Sequence, residues 1–265
     1  MTPATLPRTG PARRVGPVPA IFVVLALAAV AIAALLAITA IRSTFDPTFE
    51  TVTHAQARNG AQTADVRVQF GAGNLSVGAL DAADDSLARM SFEGPTSVRP
   101  EASYDVRGPV GELAYLSRDA DQVWQNVPFI GRAGDHARFR LQLARGVPLD
   151  LDIQGGAADA QLELTALQVR RLDLQTGAAD TRLRLPAAAG ATSVEVRAGL
   201  GQLDITVPEG VAADIEMTTG LGDRAIDTRR FVPLGNGHYR SADWSTAANR
   251  VQMQLGLGAG DLSVR

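Results

Sequence analysis

Six glycines, Gly71, Gly156, Gly177, Gly199, Gly220 and Gly258, stand in one register along this chain. Aliphatic residues occupy the fifth and third places before each: Val66/Val68, Leu151/Ile153, Leu172/Leu174, Val194/Val196, Ile215/Met217 and Met253/Leu255. Three places after each comes Asn74, Asp159, Asp180, Gln202, Asp223 or Asp261, and six places after comes Val77, Leu162, Leu183, Ile205, Ile226 or Val264. Alternation of period two broken by a glycine reads as strand, corner, strand. Glycine spacings of 21, 22 and 21 residues from Gly156 to Gly220 suit coils that lay their strands beside those of the next and stack their aliphatics into a continuous core. The expected fold is all-β: a right-handed β-solenoid of stacked repeats, with glycine making each corner. Pro186 and Pro208 follow outgoing strands, where the ladder needs no donor.

The chain has 265 residues, enough for a sizeable core. A net charge of −3 and 5% aromatic content give neither the basic surface nor the stacking platforms of a nucleic-acid binder. Cysteine is absent and all 25 basic residues are arginine, which excludes disulfides, thiolate chemistry, lysine Schiff bases and phosphate loops.

Residues 20–41 are apolar apart from Thr39, and roughly 33 Å of helix at 1.5 Å per residue would cross a bilayer. Arg8, Arg13 and Arg14 precede this span, and Arg42 followed by Asp46 and Glu50 comes after it, so the positive-inside rule puts the N-terminus in the cytoplasm and the rest outside. A cleaved signal peptide is the alternative, but its apolar region would be shorter. The reading is a cytoplasmic tail (1–19), a transmembrane helix (20–41) and a linker (42–48). An N-terminal β domain (49–146) and a C-terminal β-repeat domain (147–265) follow, the latter with a hairpin excursion (229–245) tipped by Gly235-Asn236-Gly237.

The segment ADVRVQFGAGNLSVGAL with FEGPTSVRPEASYDVRGPVGELAYLSR resembles the N-terminal toastrack domain of bacterial envelope proteins. The runs VPLDLDIQGGAADAQLELTALQVRRLDLQTGAADTRLRLP, RAGLGQLDITVPEGVAADIEMTTGLGD and LGLGAGDLSV resemble its C-terminal companion. That companion is related to putative-adhesin (DUF4097-like) repeats and to the C-terminal domain of Lia-type cell-wall-active-antibiotic-response proteins. The resemblance implies a toastrack-like β-repeat body outside a bacterial cytoplasmic membrane, as an accessory in envelope stress or an adhesion module for a surface polymer or glycan. It supplies no catalytic residues.

The acids three places after four of the glycines echo calcium-binding nonapeptide repeats, although Asn74 and Gln202 hold the other two places. They return about every 21 residues rather than every nine, so they are expected to close the corners through their own backbone amides. Four places before the glycines stand Asp152, Asp173, Glu195 and Glu216. Stacked in register they would form an acidic column, relieved by Arg170, Arg171 and Arg197, by a cation or by a basic partner. The excursion gathers Phe231, His238, Tyr239 and Trp244, either as a binding surface or as a cap over the open end of the core. Enzyme motifs such as G-x-S-x-G and H-E-x-x-H are missing, and His54, His136 and His238 are far apart. The expected protein is therefore a non-enzymatic binder without cofactor or metal. Its expected partners are the membrane and a protein or wall component.

Overall fold

A computed structural model describes residues 48–117 and 137–265; the expected span 20–41 and His136 lie outside them. Among the described residues no helix is long and apolar enough to cross a membrane. The described residues form one compact unit. Its strands are β1 (Phe49–Ala57), β2 (Thr63–Ala79), β3 (Ser86–Pro95), β4 (Pro100–Arg107), β5 (Val110–Ser117), β6 (Arg138–Leu143), β7 (Pro148–Glu163), β8 (Gln168–Ala178) and β9 (Thr181–Arg184). They continue as β10 (Ala191–Leu200), β11 (Leu203–Thr206), β12 (Val211–Leu221), β13 (Arg224–Ile226), β14 (Phe231–Gly235), β15 (His238–Ser241), β16 (Asn249–Ala259) and β17 (Leu262–Val264). The fold is all-β and solenoid-like, with one three-residue 3-10 turn, Thr96–Val98, as the helical piece among the described residues.

Each coil bends at its glycine and so contributes to two faces. On the first face the order is β4-β5-β2-β7-β8-β10-β16-β12-β15-β14. On the second it is β1-β3-β6-β2-β7-β9-β11-β17-β13. Coils stack in chain order only from β7 to β11. At one end β2 lies inside, between β7 and the later-written β5 and β6. At the other end the last coil, β16–β17, is inserted between β10–β11 and β12–β13. Both ends of the repeat sequence are thus held inside the stack, where each strand pairs on two sides, while β4, β13 and the β14–β15 hairpin lie at the margins.

Alternation does the packing. The residues five and three before each glycine are all buried, from Leu174 at 0% to Met217 at 6% exposure, and join one cluster running from Ala64 to Val264 across residues 146 and 147. Six places after, only Ile226, on marginal β13, is half-exposed. Full burial of each such side chain contributes about 1.5–3 kcal/mol. Phe70, Phe92 and Phe139 thicken the core near β2, with ring centroids 5.3 and 5.2 Å apart.

Gly156, Gly199, Gly220 and Gly258 are required by close approach rather than by unusual torsions. A side chain at Gly156 would collide with the carbonyl oxygen of Gly71, one at Gly199 with that of Gly177, and one at Gly258 with that of Gly199. Left-handed φ values occur two residues later, at Gly73, Gly201, Gly222 and Gly260, between 125° and 135°, where glycine carries no steric penalty.

Candidate functional site

The first face carries straight polar rows, because parallel strands in register set equivalent side chains about 4.8 Å apart. The row four places before the glycines reads Arg67, Asp152, Asp173, Glu195, Gln254, Glu216, with His238 of β15 next. Asp152, Asp173 and Glu195 stand on adjacent rungs, but Glu216 does not join them. The inserted β16 puts Gln254 in between, a consequence of stacking that departs from chain order.

Arginines offset the remaining repulsion. Arg67 lies 3.2 Å from Asp152, Arg171 and Arg197 each lie 3.9 Å from Asp173, and Arg197 also pairs with Glu195. Arg170 donates two hydrogen bonds to Asp150, at 3.2 and 2.7 Å. One row further back, Glu112, Asp65 and Asp150 are neighbours. Burial, reinforced by Asp150 and Glu112 against the opposing charge of Arg170, raises the Asp65 carboxyl above the usual range. Asp65, Arg67, Glu112, Asp150, Asp152, Arg171 and Asp173 line a shallow groove of about 710 Å³. Among the described residues, no three His, Asp or Glu side chains are placed to hold a metal ion.

The acids three places after the glycines act between coils, not within their own corner. Asp159 accepts from the backbone N–H of Asp180, Asp180 from that of Gln202 (3.0 Å) and Asp261 from that of Asp223 (3.1 Å). Each carboxylate thereby satisfies an amide on the adjacent rung.

A row missed at the sequence level lies two places before the glycines: Gln69, Gln154, Gln175 and Arg197 on consecutive rungs. The same register reveals it, since three repeats carry glutamine there. Gln69 donates to Gln154 (3.2 Å), Gln154 to Asp152 (3.1 Å) and Gln175 to Asp173 (3.2 Å). Beside this ladder the corner glycines have no side chains, leaving a trough of about 520 Å³.

The excursion forms the β14–β15 hairpin, whose tip uses left-handed φ at Gly235, Asn236 and Gly237 (101°, 51° and 76°). Antiparallel pairing of β15 with β12 lays it over the end of the first face. Phe231 is wholly buried, Tyr239 packs half-buried against the core, and Trp244 and His238 are half-buried. Arg230 donates to the carbonyls of Val207 (2.7 Å) and Pro208 (3.1 Å), with its guanidinium over the Phe231 ring. His238 and Arg240 hold Asp214 at 2.5 and 2.7 Å. Burial raises the Asp214 carboxyl, but the hydrogen bonds and charges of Arg240 and His238 together outweigh it and hold the group below its ordinary value. His54 points inward from β1 beside Met90 of β3, far from this cluster in the strand order.

These rows and grooves can bind; among the described residues that form them, no nucleophile is hydrogen-bonded to a base. In sequence, residues 44–206 match the family described as the N-terminal domain of toast_rack, DUF2154. No curated protein matches the chain. Among solved structures, a "putative cell adhesion protein" from Clostridium sporogenes superposes with a TM-score of 0.73 at 16% identity, covering 82% of this chain and 100% of that one. A "putative adhesin" from Bacteroides fragilis gives a TM-score of 0.32 at 10% identity over 82% and 97% of the two chains. The family match spans more than half of the sequence and runs through β1 to β11, and the later strands complete the same stack: the chain belongs to the toast_rack family.

Proposed function

We propose that this protein is a non-enzymatic binding scaffold, anchored in the bacterial cytoplasmic membrane by residues 20–41, that presents its β body outside the cell and serves as an accessory in the envelope stress response. The observation that carries the reading is the first face itself: consecutive rungs repeat polar rows in strict register. A fully laddered sheet gives such rows a fixed spacing, so recognition loses little conformational entropy on binding. The apolar span and its arginine-rich N-terminal flank support the orientation.

Photo-crosslinking in intact cells from Arg67 and Glu195 tests this. Capture of an envelope protein is expected; absence of any adduct, with labelling showing the body on the cytoplasmic side, would refute it.

A second reading, adhesion to a surface polymer, is favoured by the likeness to a structure described as a cell adhesion protein. Retention of the chain on purified cell-wall polymer would support it, and passage of all the protein through such a matrix would count against it.

A further inference from the structure

We propose that the glycine-floored trough on the first face is a binding site for an uncharged linear glycan, read by Gln154, Gln175 and Arg197. This rests on the surface-polymer reading and names its site and ligand class.

The trough arises from the repeat. Gly156 and Gly199 are obligatory because neighbouring backbones leave no room for a side chain, and the lack of side chains along the corners opens a shelf on which a flat ring can lie. Along its wall the Gln ladder is preorganised. Each glutamine commits one amide N–H to a neighbour, leaving the second N–H of each, and the carbonyl oxygen of Gln175, for a ligand. Arg197 closes the row while tied to Asp173 and Glu195, so the wall offers hydrogen bonds without a strong field of either sign.

The chemistry selects among occupants. An extended peptide binds by adding a strand at an open edge, yet β2, β7, β8 and β10 are paired on both sides along the trough. A lipid chain would require an aliphatic floor. A hydroxyl-rich polymer needs convergent amides and a flat support, and rungs about 4.8 Å apart repeat the same contacts along it.

The test uses the full chain in a zwitterionic, sugar-free detergent, titrated calorimetrically with a β-1,4-linked N-acetylglucosamine hexamer. Saturable binding is expected, weakened about tenfold or more by combined Gln154→Leu and Gln175→Leu and unchanged by Gln161→Leu on the second face. Absence of binding by the wild type, retention by the double variant, or displacement by an extended peptide but not by free glycan would each overturn the assignment. If the double variant retains the hexamer, the surface-polymer reading survives and only this site fails; if the wild type ignores hexamer and cell wall alike, both fail.

Discussion

The middle of the stack and its two ends are built from the same register but closed differently. From β7 to β11 each coil pairs with the coil written next, so hydrogen-bonded partners such as Asp159 and Asp180 are 21 residues apart. At the ends partners are remote: Arg67 meets Asp152 across 85 residues and Ser263 meets Asp204 across 59. Local rungs propagate once a neighbour exists, whereas the ends require a late-written or early-written strand to enter an interior place. The gain is that these inner strands have no free edge, and at the C-terminal end the hairpin carrying Pro233 is left as the margin, which discourages edge-to-edge pairing. The loop-closure entropy falls on the ends.

Removal of residues 249–265 should have the largest effect on that contrast. It takes away the strand joining β10 to β12, so the C-terminal end should lose its cooperative thermal transition while the β7–β11 rungs keep β-type circular dichroism. Phe231→Ala should come next, costing about 3–5 kcal/mol in denaturant melts as an emptied core site; Trp244→Ala, half-exposed, should cost less than half of that. Gly258→Ala, whose new methyl would strike the Gly199 carbonyl, should cost about 1–3 kcal/mol, whereas Gly78→Ala, facing open space, should stay within about 0.5 kcal/mol.

Acid should weaken the hairpin latch at the end. Because the Asp214 carboxyl is held below its ordinary value, its contribution is present above the unfolded pKa and is lost as pH falls through the lower folded value. The stability difference between wild type and Asp214→Asn should therefore be full near neutrality, begin to fall only around pH 4 and vanish below the lower folded value. Asp65 has the opposite sign. Its raised value means that stability falls as pH climbs from the unfolded to the folded pKa, so Asp65→Asn should stabilise at pH 7 by a few tenths of a kcal/mol.

Facing was legible in the sequence, neighbourhood was not. Period-two alternation named the buried Val66, Leu174 and Met253 because the side-chain direction of a strand is local. Every coil has the same pattern, so nothing in it says that Gln254 rather than Glu216 lies beside Glu195; the 38-residue gap before Gly258 announced an excursion but not the insertion that follows it. The acids after the corners were legible as turn-closing groups, yet their partners lie one coil away, which no local preference reveals. The Gln69-Gln154-Gln175 ladder was open to the same register, but amides carry none of the charge that draws attention to Asp152 and Asp173.

Since the chain has no cysteine, paired cysteines can report the stacking order directly. Mild oxidation of a Glu195→Cys, Gln254→Cys double variant should give an intramolecular crosslink, as should Glu216→Cys with Gln254→Cys, whereas Glu195→Cys with Glu216→Cys, two rungs apart, should not. Efficient bonding between positions 195 and 216, with none to 254, would mean that the coils stack as written and that the last strand is not an inserted rung.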